Sequence, residues 1–173
     1  MTTRVLSPSG ALGLNYDQVA LDRGIAMKPD IIAIDGGSTD SGPAYLGRGV
    51  SKYSRASTKV EWRGLMEARA KAGVPLVIGT SGTCGADNAV DWMLDITREI
   101  ATDLRQSLKI AVLRCSQDTA VMSTAFSDGR ITPLPAAPNV TADDFATCTN
   151  IVALAGAEQI AAALETNADI VIA

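Results

Sequence analysis

Asp35 and Asp40 bracket Gly36-Gly37-Ser38-Thr39 directly after the β-branched run Ile31-Ile32-Ala33-Ile34. A buried strand that stops at an aspartate delivers polar chemistry at its carboxyl end. Carboxylates held close together either raise one another's pKa, giving a general acid or base, or share a divalent cation through oxygen ligands. Asp35 and Asp40 are therefore the candidate bases and the candidate metal ligands. Gly36 and Gly37 let backbone amides approach a ligand, while Ser38 and Thr39 add small donors, a set that suits an anionic group. A solvated turn selects the same residue types, so one such cluster decides little.

Repetition decides more. Gly79-Thr80-Ser81-Gly82-Thr83-Cys84-Gly85-Ala86-Asp87 follows the apolar run Pro75-Leu76-Val77-Ile78, and Ser7-Pro8-Ser9-Gly10 follows Arg4-Val5-Leu6. A further turn, Cys115-Ser116-Gln117-Asp118, follows Ile110-Ala111-Val112-Leu113. The substrate-binding candidates are then Ser9, Gly10, Gly36, Gly37, Ser38, Thr39, Ser81, Gly82, Thr83, Cys84 and Asp87, with Asp118 joining Asp35 and Asp40 as a catalytic carboxylate. Asp87 and Asp118 also suit helix N-caps. Cys84, just before a helix start, could be held as thiolate, against the competing role of a small buried hydrophobe. Gly79, Gly82 and Gly85 match neither GxGxxG nor GxxxxGK[ST], which argues against a nicotinamide enzyme or a P-loop ATPase.

The chain of 173 residues has no histidine. Ser-His-Asp and Cys-His nucleophiles and histidine-bound zinc are thereby excluded from within the chain, leaving Asp, Glu, Lys, Tyr and Cys for proton transfer. Three cysteines, widely spaced, make neither a disulfide framework nor a metal knuckle. A net charge of −4 with dispersed basic residues argues against nucleic acid as partner. Hydrophobic residues at 47% and charged residues at 20% indicate a packed core, and no apolar run approaches a membrane span of about 20 residues. With no secretory signal in Met1-Thr2-Thr3-Arg4, a cytoplasmic location is expected.

Elements of alternating type must position these loops. Helical periodicity predicts helices over 16–27, 55–71, 87–106, 119–126, 141–154 and 158–164, the second with Val60, Leu65, Met66 and Ala70 toward a sheet. Trp62 and Trp92 read as core or interface anchors within those helices. Residues 44–53 lack a period and are expected to pass over the surface. Strands alternating with helices predict an α/β domain over 1–173, an open and mostly parallel sheet with helices on both faces, Rossmann-like in three layers. All the loops after strands then emerge at one edge, where ligands bind. The chain ends on a buried-type strand, Asp169-Ile170-Val171-Ile172-Ala173, without a following loop, so a truncated N-terminal part of a longer chain is expected.

From Ile34 to Gly47 the sequence resembles the acyclic terpene utilisation family, known from catabolism of citronellol-type acids as coenzyme A esters. The likeness extends to Ser7-Pro8-Ser9-Gly10, the 79–87 loop followed by Asp91-Trp92, the Ser116-Gln117-Asp118 turn and the closing Ala168-Asp169-Ile170-Val171-Ile172-Ala173. It implies a longer chain and a catabolic setting, and it assigns no catalytic residue. Asp35-Gly36-Gly37-Ser38-Thr39 also resembles the phosphate-binding turn of the sugar kinase and actin superfamily, where the motif joins antiparallel strands, unlike the arrangement expected here.

The expected function is a catabolic enzyme or enzyme subunit acting on a small carboxylic acid or its coenzyme A ester by lyase, hydratase or isomerase chemistry. Coenzyme A would be the substrate carrier, and a divalent cation the one candidate cofactor. The alternatives are a non-catalytic binding or scaffold subunit that needs a partner chain and, third, an ATP-dependent phosphotransferase. The expected partners are a small anionic substrate and further copies of the chain or a partner subunit, with no nucleic acid and no membrane.

Overall fold

The computed structural model describes residues 2–37, 41 and 43–173. Five short strands, β1 (Val5–Leu6), β2 (Ile31–Asp35), β3 (Leu76–Gly79), β4 (Ile110–Val112) and β5 (Ile170–Ile172), form one sheet in the order β1-β2-β3-β5-β4. Every pairing is parallel. The helices among the described residues are α1 (Gln18–Ala26), α2 (Pro43–Arg48), α3 (Arg55–Ala72), α4 (Asp87–Asp103), α5 (Thr119–Ser127), α6 (Ala142–Thr147) and α7 (Ala157–Glu165). The α/β class and the parallel, open, three-layer sheet expected from the alternating pattern are what the chain adopts.

Strand order fixes which helix covers which face. From β1 to β4 the chain steps across the sheet in one direction, so right-handed crossovers place α1, α3 and α4 together on one side. The step back from β4 to β5 sends α7 to the other. Packing agrees: Leu21, Trp62, Leu65, Met66, Met93 and Ile96 meet the strand residues Ile32, Ile34, Leu76, Ile78, Ile170 and Ile172. On the opposite face Ala163, Ile160 and Leu164 meet Val77 and Val171. Fully burying one such large apolar side chain contributes about 1.5–3 kcal/mol, which makes the thicker α1–α3–α4 layer the main source of stability.

Local chemistry sets the helix ends. Asp17 accepts from the Ala20 amide at the start of α1, Ser54 accepts from Ser57 at the start of α3, and Gly73 closes α3 in the left-handed conformation at φ 68°. Inside the core the Trp62 Nε1–H donates to Thr97 Oγ at 2.9 Å, joining α3 to α4 without leaving a buried donor unpaired.

Three expectations need correction. Val60, at 73% exposed, and Ala70 face solvent, because the buried stripe of α3 runs through Thr58, Glu61, Trp62, Leu65, Met66 and Ala68. Residues 44–53 are not wholly aperiodic, since α2 occupies the first part. Residues 141–154 are not one helix: α6 begins as expected with a capping box between Thr141 and Asp144, but Cys148 leaves at φ −59°, ψ 137° and the chain becomes extended. The Ser116–Val152 bridge is antiparallel, with Gln117 N donating to Ile151 O at 2.8 Å and Ala153 N to Cys115 O at 3.0 Å. Residues 115–155 are therefore an out-and-back arm whose two helices meet through Phe126 and Phe145, ring centroids 5.1 Å apart.

Candidate functional site

The loops after β2 and β3 interlock at the carboxyl edge of the sheet. Gly36 N donates to Gly79 O at 2.5 Å, and Thr83 N donates back to Gly36 O at 3.2 Å. A Cβ on Gly36 would lie 2.6 Å from the carbonyl oxygens of Gly79 and Thr80, and one on Gly37, at φ +142°, 2.7 Å from Thr83 Cα. The glycine pair is thus required by the close packing of one loop on another. The next strand edge joins in, since Ser81 N donates to Ala173 O at 2.9 Å.

Backbone strain is concentrated in the second loop. Thr80 stands at φ 54°, ψ 42° and Thr83 at φ 82°. A β-branched residue at positive φ is a genuine outlier, and each such residue costs on the order of 1–3 kcal/mol that the surrounding packing must offset. The geometry turns the Thr80 hydroxyl toward β2, where it donates to Asp35 Oδ1 at 2.9 Å; Gly37 N donates to the same oxygen at 3.0 Å. Asp35 is exposed, so its carboxylate is oriented by two donors while open to solvent.

Beside this pair lies a cavity of about 250 Å³. Gly79, Thr80, Gly85, Cys115 and Ala173 form one side. Val152, Leu154 and Ala155 from the returning arm and Ile160 from α7 form the other. It sits over the carboxyl ends of β3 and β5, the edge at which open parallel sheets bind ligands. Its volume is just under the range of about 300–1,000 Å³ of drug-sized ligand pockets, so a small ligand is suited. Most of the wall is apolar, and Thr80 carries the polar chemistry at its rim.

The sequence candidates are distributed unevenly about this cavity. Asp35 is held beside the cavity through Thr80. Ser81, Gly82 and Thr83 are buried in the loop itself; Ser81 Oγ has no hydrogen-bond partner among the described residues, and Thr83 Oγ accepts from Lys52 N at 3.2 Å. Cys84 is buried with Ala86, Ala89, Leu46 and Val152, an apolar setting that matches the small-hydrophobe role. Asp87 Oδ1 accepts from the amides of Cys115 and Ser116, both at 3.0 Å, while Ser116 Oγ accepts from Asp87 N at 2.9 Å, so this carboxylate clamps α4 to the arm. Asp118 caps α5 by accepting from Val121 N at 2.9 Å. Ser9 bonds locally to Ala11, and Gly10 is exposed; both lie in the β1 loop and neither lines the cavity. Ser38, Thr39 and Asp40 lie outside the described residues.

None of the residues named as candidates from the sequence lines the cavity, although the loops that carry Gly79, Thr80, Gly85 and Cys115 were expected at this edge. The helical pattern over 141–154 takes in Val152 and Leu154, and only the β-branched pair Ile151-Val152 hints at an extended return. Thr80 does not stand out beside its glycines, since a threonine in the left-handed region has no sequence signal. The amides of Gly36, Gly37, Ser81, Thr83 and Gly85 all donate within the protein, so these loops do not present those donors to an anion. Among the described residues no group of three or more Asp, Glu or Cys side chains is placed to hold a metal ion. No helix among them is long and apolar enough to cross a membrane.

Set against protein-family models, curated proteins and solved structures, the chain matches none of them.

Proposed function

We propose that the chain is an enzyme, or a subunit of one, that acts on a small carboxylic acid or its coenzyme A ester by proton transfer at the carboxyl edge of the sheet. The observation that supports this reading is an apolar-walled cavity whose lining includes Thr80, the residue that donates its hydroxyl to Asp35. An acyl chain would fill the space between Ala173, Val152 and Ile160, leaving its carbonyl end toward Thr80. Asp35 would then take a proton from the carbon next to that carbonyl, the step common to many lyases, hydratases and isomerases. The likeness to the acyclic terpene utilisation family points to the same substrate class.

A second reading, a non-catalytic binding subunit, is favoured by one feature. The loop amides that would stabilise an oxyanion already have partners inside the protein. A thermal-shift screen of short branched carboxylic acids and their coenzyme A esters separates these readings from an empty cavity. A ligand at 100 times its Kd should stabilise the protein by about 2.7 kcal/mol, and Ile160→Trp, which fills the cavity, should remove that response. Asp35→Asn should retain the response and lose turnover of the ligand so found. Turnover that survives Asp35→Asn overturns the proton-transfer role, and binding without turnover in the unaltered chain selects the second reading.

A further inference from the structure

Among the described residues β4 is the outermost strand of the sheet, and its outer edge pairs with no other strand. Lys109 O and Leu113 N reach toward β5, accepting from Ile170 N and donating to Ile172 O. Because strand backbone groups alternate in direction, the N–H and C=O of Ile110 and Val112 face away from the sheet. They open onto a groove of about 510 Å³ between β4 and the second half of α4.

Charge on α4 is divided between its two flanks. Toward α3, Glu99 binds Arg55 and Lys59, and Asp103 binds Arg63. Toward the β4 groove the helix and the turn after it present Arg98 and Arg105. Arg98 has one loose contact with Asp95 at 3.8 Å, and Arg105 has no ion pair among the described residues. Gln106 also lines the groove, and its buried Oε1 has no donor among the described residues. The floor between these groups is apolar, formed by Leu94, Leu108, Ile110 and Val112. Two guanidinium groups, an unfilled acceptor and a free strand edge over an apolar floor stand together in a chain of net charge −4.

We infer that this edge docks an extended acidic peptide segment of a partner protein, which adds a strand beside β4. Its main chain pairs with Ile110 and Val112, alternate apolar side chains enter the groove, and carboxylates meet Arg98 and Arg105. A second copy is the poorer occupant: two-fold pairing of β4 with β4 would bring the arginines of both copies toward one another, a like-charge arrangement that disfavours association.

The probe is a fluorescent peptide alternating valine with glutamate, compared with its valine–lysine counterpart and with a valine–glutamate peptide N-methylated along one edge. Fluorescence anisotropy with the intact chain should show binding of the acidic peptide that weakens as salt is raised. The lysine and N-methylated peptides should each bind at least about tenfold more weakly. Arg98→Glu with Arg105→Glu, both at exposed positions, should reverse the preference between acidic and basic peptides in a variant whose circular dichroism matches that of the unaltered chain. Equal binding of the N-methylated peptide overturns strand addition. Equal binding of the basic peptide, or self-association of the chain abolished by the arginine changes, overturns the acidic partner.

Discussion

The Thr80 hydroxyl donates to Asp35 Oδ1 across 2.9 Å from a backbone at φ 54°, ψ 42° that threonine rarely adopts. Strand β3 thus ends in a conformation whose local cost is met by the packing of the Gly36 and Ala173 backbones around it. The carboxylate at the end of β2 gains a fixed orientation.

Thr80→Gly tests whether that strain serves the site. Glycine relieves about 1–3 kcal/mol of backbone cost but forfeits a hydrogen bond of about 0.5–1.5 kcal/mol, so stability should be unchanged or higher. Turnover of the ligand should nevertheless fall, because Asp35 loses one of the two donors that orient it. Denaturant unfolding of the free protein reads the first effect and a turnover assay the second. Lower stability in the free protein would show that Thr80 is held by a favourable interaction larger than its hydroxyl bond.

Gly36→Ala and Gly10→Ala should separate two uses of glycine in the strand-end loops. A methyl at Gly36 would sit 2.6 Å from two backbone oxygens, whereas one at Gly10 meets nothing within 4 Å. Overpacking against rigid backbone should cost about 3 kcal/mol at Gly36. At Gly10 the change should be close to neutral or stabilising by up to about 1 kcal/mol through the unfolded chain. Urea midpoints of the two variants measure the contrast, and similar values would refute the interlocked-loop geometry.

Asp87→Ala should loosen the arm. Its carboxylate holds the amides of Cys115 and Ser116 and lies in the first turn of α4, where negative charge is favoured. Losing two charge-assisted bonds should cost about 2 kcal/mol. Hydrogen exchange should accelerate at Gln117 and Ala153, whose amides form the antiparallel pairing of the arm. Unchanged exchange at those two amides would show that the arm is held by other contacts.

The parallel sheet was legible in the sequence because its determinants are local and repeated. Ile31-Ile32-Ala33-Ile34 and Leu76-Val77-Ile78 each run into small and polar residues, and each is separated from the next strand by a helix with a stop such as Gly73. The site was legible only from one side. The strand-end loops could be placed from topology, but the wall from Val152 to Ile160 depends on a long-range pairing between Ser116 and Val152 that no local pattern encodes. Composition also misplaced the purpose of Gly36 and Gly37, since a loop that must lie flat on another loop needs the same residue as one that cradles an anion. Arg98 and Arg105 gave no signal at all, because only the sheet order makes β4 an edge.

Acid should weaken the α3–α4 contact over a defined pH range. Glu99 is exposed, and its hydrogen bonds from Arg55, then from Lys59, hold its carboxyl from an ordinary 4.5 down to about 2. A carboxylate whose folded pKa is depressed contributes stability that is present above the unfolded value and is lost as pH falls through the folded one. The contribution should therefore be complete at neutral pH and decline between 4.5 and about 2. Asp91, lowered by its bond from Arg114, and Asp144, lowered by the Thr141 amide, shift in the same direction and add to the acid loss. Urea unfolding of the unaltered chain and of the Glu99→Gln variant across about pH 2–7 isolates the Glu99 share: the difference between them should be constant above about pH 5 and vanish toward about pH 2. Because the pair is exposed, added salt should shrink that difference as well. A difference that persists unchanged at the acid end would mean that the Glu99→Gln substitution perturbs packing and that the ion pair is not the cause.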